Sequence, residues 1–178
     1  NTSVFTSLGT WNTQLYGFAY ETGRMADHGD ATLQLNYQNL SSDGYLSYSP
    51  VKSQNYALKY ERPVGDASLL TIFSTYNHID YNQPDSNKGA TLTQIAAFGR
   101  NYQLNNDPTS MNYMGYNKTT KDTDFSYLRL RSDLGSGWST DNSLYTYAYD
   151  NQTISSTDPT GLTAAGTKIG GTGNKNIP

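Results

Sequence analysis

Cysteine is absent from the 178-residue chain. That excludes a disulfide framework, iron–sulfur clusters and thiolate zinc, and fits a compartment where free thiols are a liability. Charge is scarce as well: 15% of the residues are Asp, Glu, Lys or Arg, against about 25% in ordinary globular domains. With a net charge of −3 and no Lys/Arg cluster, the chain offers no surface for nucleic acid. No run approaches ~18 consecutive apolar residues, so there is no transmembrane helix. The first residues, NTSVF, lie mid-pattern and carry no signal-peptide character. The length suits one domain.

Ser, Thr, Asn, Gln, Gly and Tyr fill the space that charge leaves. Sixteen tyrosines argue against disorder, which depletes aromatics. Their arrangement is periodic. In Ala31–Asn39, Ala31, Leu33, Leu35 and Tyr37 alternate with Thr32, Gln34, Asn36 and Gln38, the signature of a strand with one apolar and one polar face. Similar runs occupy Thr2–Leu8, Gln14–Thr22, Gln54–Glu61, Ser68–Asp80, Asp124–Leu134 and Asn142–Asn151. Helical periodicity is nowhere convincing, although TLTQIAAF at 91–98 suits a short helix or an extra strand. The expected fold is all-β, an antiparallel up-and-down meander of about seven strands.

The connections sort by length. GRMADHGD at 23–30, RPVGDA at 62–67 and GSGWST at 135–140 are turn-like, whereas 41–52, 81–123 and the residues after Gln152 are long and polar. Short and long alternate from residue 23 onward. In a meander this gives one rim of tight turns and one of large loops, as in outer-membrane barrels. Strands of about ten residues at ~3.3 Å each, tilted by ~45°, cover ~23 Å, close to the ~25 Å apolar band of such barrels. On this reading Leu33 and Leu35 face lipid while Gln34 and Asn36 face a wet lumen. Tyrosines at strand ends would form the interfacial girdles. The rival reading is a secreted β-sandwich or solenoid.

Three stretches carry a resemblance: LGTWNTQLYGFAYETG, YQNLSSDGYLSYSPVKSQNYALKYERPVG and DFSYLRLRSDLGSGWSTDNSLYTYAYDN. They resemble the first barrel strands of TonB-dependent outer-membrane receptors. The points of likeness are a Gly-Thr-Trp-Asn turn after the first strand, Asp43-Gly44-Tyr45 leading into an early extracellular loop, and TDFSY at Thr123–Tyr127 after a long third loop. The resemblance implies a bacterial outer-membrane location, lipid around the barrel, and energy coupling to TonB through an N-terminal region. It also implies energy-coupled uptake of a scarce nutrient, most commonly an iron–siderophore complex. The family's plug domain and its remaining barrel strands are not visible here. An open seven-stranded sheet leaves edges that hydrocarbon does not tolerate, so residues 1–178 are expected to be part of a larger barrel. The alternative is a secreted non-membrane β-protein, an adhesin or a carbohydrate-binding module.

No enzyme is expected: GxSxG does not occur, and no Ser/His/Asp set is legible. No cofactor or metal is expected either. His28 and His78 are isolated histidines without ligand spacing, and Asp122 and Asp124 suit a turn leading into a strand better than a calcium site. The Gly-rich stretch 166–175 lacks P-loop spacing and reads as a loop. Arg129 and Arg131 alternate with Leu128 and Leu130; because charge facing lipid costs ~2–4 kcal/mol near the midplane, the arginines belong in the lumen. The loop 81–123 is the candidate for ligand recognition. Arg100, Tyr102, Tyr113 and Tyr116 lie there among Asn and Asp, a mixture that suits a binding surface or a loop packed on itself.

Overall fold

The computed structural model describes residues 1–84, 90–110 and 112–155. Seven strands form one antiparallel sheet in chain order: β1 Thr2–Gly9, β2 Thr13–Glu21, β3 Thr32–Ser42, β4 Val51–Val64, β5 Ser68–Asn82, β6 Lys118–Gly135 and β7 Trp138–Ile154. Each strand pairs with its neighbours in sequence, so the all-β meander is as the alternation predicts. The described sheet is open, with β1 and β7 as its edges. The expected strands all exist, but β6 and β7 run longer at both ends than their period-2 cores. Asp122 lies inside β6 rather than in a turn before it. Residues 91–98 resolve in favour of helix: α1 spans Leu92–Phe98, capped by Thr91 and Gln94, whose side chains each bond the other's backbone N–H. The Gly-rich stretch 166–175 lies outside the described residues.

The turns explain the hairpins. Between β6 and β7 the two central residues, Ser136 and Gly137, have φ of 53° and 80°, the positive φ values that a type I′ turn requires. The β1–β2 hairpin turns through Trp11 and Asn12, with φ of 55° and 53°, a region uncommon for so bulky a residue as Trp. Between β2 and β3, residues 22–31 hold a 3-10 turn over Ala26–His28, and Arg24 pairs with Asp30 at 2.6 Å. The sorting of connections is less strict than the sequence suggests. The β3–β4 connection spans only 43–50, shorter than 22–31 at the opposite rim. It shrinks because Ser41, Ser42 and Val51 continue the ladder.

Register fixes the two faces. Directly opposed residues put Phe18, Tyr37, Tyr56 and Tyr76 in one row across β2–β5, with ring centroids 5.9, 4.9 and 6.3 Å apart in turn. On the same face, towards the 65–67 and 136–137 turns, lie Leu33, Leu35, Leu58, Leu70, Ile72, Leu128, Leu130 and Leu144. This is an apolar band closed by an aromatic row. Beyond the row, towards the β5–β6 connection, the face turns polar with His78, Asp80, Asp122 and Lys118. The opposite face carries Gln34, Asn36, Lys59, Glu61, Thr71, Arg129 and Arg131, so the four residues expected on the polar face share it.

A buried core between layers is missing from the described residues, whose buried hydrophobic side chains are Ala31 and Leu104. Leu128 remains 44% exposed and Leu144 74%. Sheets are stable when their apolar face is covered, and the described residues leave the band of leucines without an apolar cover.

Candidate functional site

One rim collects the β1–β2 hairpin, the β3–β4 connection and the β5–β6 connection. Their sequences are polar and turn-rich, yet hydrogen bonds weld them together. Ser47 is the joint. Its N–H donates to the Asn101 carbonyl at 2.8 Å, and its carbonyl accepts from the Leu104 N–H at 3.2 Å. The Ser47 hydroxyl donates to the Leu104 carbonyl at 2.7 Å and accepts from the Gln103 N–H at 2.9 Å. Ser49 adds a bond from its hydroxyl to Gln103 Oε1 at 2.6 Å. Beneath this polar staple the Leu104 side chain is fully buried. Ser42 and Asp43 bind the other neighbour: the Asp43 N–H donates to the Trp11 carbonyl at 2.9 Å, and the Trp11 ring meets Tyr45 edge-on at 5.3 Å.

Within the long connection, short-range bonds hold a fixed shape. Phe98 at the end of α1 stacks on Tyr102 at 4.8 Å. The Tyr102 hydroxyl accepts from the side-chain amides of Asn105 at 3.3 Å and Asn112 at 3.4 Å. Asn105 also donates to Ser110 Oγ at 2.8 Å. Asp107 accepts from the Thr109 hydroxyl at 2.7 Å and from its N–H at 2.9 Å, and these bonds hold its carboxyl below the ordinary carboxylate pKa. Tyr113 packs edge-on against Tyr116 at 4.9 Å. Asn117, buried at the return to β6, donates its amide to the Tyr113 carbonyl at 2.9 Å.

The four residues expected to contact ligand therefore divide. Tyr102, Tyr113 and Tyr116 spend rings or hydroxyls on the loop itself. Arg100 is exposed and has no hydrogen bond or ion pair among the described residues, so it is the member free to meet a ligand. Trp11, Tyr45 and Tyr48 are also exposed on this rim, and sequence reasoning passed over them as binding residues. A Trp inside the Gly-Thr-Trp-Asn turn was the available signal.

No family model, curated protein or solved structure matches this chain. The polar face and the strand tops thus stand on their own geometry. Arg129 forms a two-point bond with Asp141, with Nε to Oδ1 at 2.7 Å and Nη2 on Oδ2. Arg131 faces Asp141 in register. Gln34 donates to Glu21 at 3.3 Å. Beside the Arg129–Asp141 pair lies an unexpected feature, an aromatic patch on the polar face. Phe73 stacks on Tyr127 at 5.2 Å, and Phe125 meets Tyr145 at 6.4 Å. With Arg129, Asp141 and Ser143, three of these rings line a shallow depression of about 630 Å³.

His78 is not isolated. On the polar stretch beyond the tyrosine row its Nδ1 lies 2.7 Å from Asp122 Oδ1 and its Nε2 lies 3.2 Å from Asp80 Oδ2. Tyr76 donates its hydroxyl to Asp122, and Thr120 donates to Asp80. Although three ligand-type side chains meet here, no group of three or more among the described residues is placed so that it could hold a metal ion.

Proposed function

We propose that this chain is part of the β-barrel of a TonB-dependent outer-membrane receptor, which takes up a scarce nutrient in an energy-coupled step. An iron–siderophore complex is the first cargo to test. The observation that carries the proposal is the composition of one sheet face: a leucine band, closed by the Phe18–Tyr37–Tyr56–Tyr76 row, with polar strand ends beyond it. Lipid is the surrounding that such a band demands, and aromatic rings are enriched at the membrane–water boundary. Strand length agrees. A membrane strand needs ~9–11 residues, whereas β5, β6 and β7 have 15, 18 and 17. The excess projects past the aromatic row and lifts the welded rim into the medium outside.

The proposed mechanism involves no covalent chemistry, and the chain is not proposed to be an enzyme. Arg100 and the exposed rim aromatics meet the cargo, the rigid loops present them, and the face of Gln34, Asn36, Arg129 and Arg131 lines the wet interior. Coupling to TonB would run through a region outside these residues.

A second reading has its own observation. The patch of Phe125, Tyr127 and Tyr145 beside Arg129, Asp141 and Ser143 has the ring floor and hydrogen-bonding edge that suit a sugar, as a secreted carbohydrate-binding module would use. Cell fractionation of the native protein decides between them. Outer-membrane recovery with an electrophoretic mobility that shifts on boiling supports the receptor; recovery in the medium, soluble without detergent, ends it. Growth of a deletion strain on defined iron–siderophore sources then tests the cargo.

A further inference from the structure

We propose that His78 is an acid-tightened clasp for the rim loop: by bridging Asp122 of β6 and Asp80 of β5, it ties the two strands where residues 83–117 leave the sheet and return. The bridge is a continuous zigzag from Tyr76 through Asp122, His78 and Asp80 to Thr120. His78 and Asp122 are directly opposed in register. Just beyond them the loop is anchored by two backbone bonds, from the Asn82 N–H to the Pro50 carbonyl at 3.2 Å and from the Gln83 N–H to the Asn117 carbonyl at 3.1 Å. The clasp therefore lies directly below the last rungs that hold the loop.

The chemistry requires a charged ring. Each imidazole nitrogen faces a carboxylate oxygen, and only the imidazolium donates from both nitrogens. The charges around it favour that state. On the same face, Gln54 and Lys52 of β4 oppose His78 and Asp80, Asp150 of β7 opposes Asp122, and Asp124 and Lys118 flank the pair on β6. Carboxylates outnumber ammonium groups there. These groups stand beyond the aromatic row, outside the apolar band. The bond to Asp122 raises the His78 pKa most, partial burial opposes it, and the bond to Asp80 adds to the rise. Asp122 is lowered by Tyr76 and then His78, and Asp80 by Thr120 first. The sign follows from linkage. The histidine's contribution is complete below its ordinary pKa and is lost as pH rises through the raised value. The aspartates' contribution is lost only as pH falls through their depressed values. The clasp closes in the window between.

For a receptor, this would make the rim's grip on its cargo firmer in mild acid, a consequence that rests on the function proposed above. The clasp itself does not, and its test uses no ligand. The native protein, in detergent micelles or in buffer if water-soluble, is labelled at histidine Cε1 and titrated by NMR, and amide exchange is followed at Gln83 with Leu104 as reference. The His78 midpoint should fall in Asp122→Asn. The Gln83-to-Leu104 protection ratio should drop by about threefold between about pH 6 and about pH 8.5, and stay flat in His78→Gln. A midpoint that Asp122→Asn does not move, or a wild-type ratio indifferent to pH, overturns the clasp. So does a pH response that persists unchanged in His78→Gln. Failure of the receptor reading shows separately, as recovery outside the membrane.

Discussion

Phe5 of β1 lies across Gly17 of β2, its Cζ 2.6 Å from the point where a Cβ on residue 17 would stand. The two are directly opposed in register, so the ring covers backbone that no side chain protects. A Cβ there would also overlap the Tyr37 carbonyl of β3. Gly17→Val should destabilise the β1–β2–β3 end of the sheet by ~1–3 kcal/mol, read as a lower urea midpoint with the β5–β7 end unaffected.

The two faces of the sheet should respond differently to charge. Leu128→Arg places a guanidinium in the leucine band and should cost ~2–4 kcal/mol of folding into lipid vesicles. Asn36→Arg, at an exposed position on the face of Arg129, should cost far less. Equal costs would count against lipid as the surrounding of the band.

Ser136 occupies a turn position with φ of 53°, where Asn is better accommodated than Ser. Ser136→Asn should raise stability by ~0.5 kcal/mol, a fraction of the ~1–2 kcal/mol that the left-handed region costs an ordinary residue, measured as a higher unfolding midpoint, without change at the loop rim.

Ser47→Ala removes the hydroxyl that serves both the Leu104 carbonyl and the Gln103 N–H. Two polar groups beside a buried leucine then lose a partner, at ~1–3 kcal/mol. Limited proteolysis should cut between residues 98 and 110 in the variant and spare the wild type, while the sheet survives.

Under the proposed receptor function, Arg100→Ala should weaken cargo binding by roughly tenfold, as loss of a charged contact of ~1.4 kcal/mol does, with the loop's protease resistance intact. Tyr102→Phe removes the hydroxyl that Asn105 and Asn112 share. It should loosen the loop first and reduce binding through that loss of shape. A Tyr102→Phe variant with a rigid loop and lost binding would instead place the hydroxyl on the cargo.

Alternation made the strands legible wherever one face is apolar. Leu128-Arg129-Leu130-Arg131 could be sorted by eye, and register places those pairs on the faces that the alternation implies. Where both faces are polar, the pattern has nothing to alternate. That is why Lys118–Thr123, the top of β6, escaped as loop although it pairs with β5 throughout. Contacts between distant residues were beyond reach for a different reason. His78 and Asp122 are neighbours only because β5 and β6 pair in one register, and a shift of one residue would turn them to opposite faces. The ring patch of Phe125 and Tyr145 has the same origin, since periodicity groups residues on a face without saying which rings of the next strand they will meet.

The Ser47–Leu104 staple has a consequence for the order of assembly. Up to β5 each strand pairs with its sequence neighbour across a short connection, so this part of the sheet grows by the low-contact-order steps that are fast. Ser47 and Leu104 are 57 residues apart, with β4 and β5 between them, so their contact must wait until those strands are in place. The rim is therefore assembled after the wall that carries it. A chain stalled midway would hold its strands but lack the finished rim.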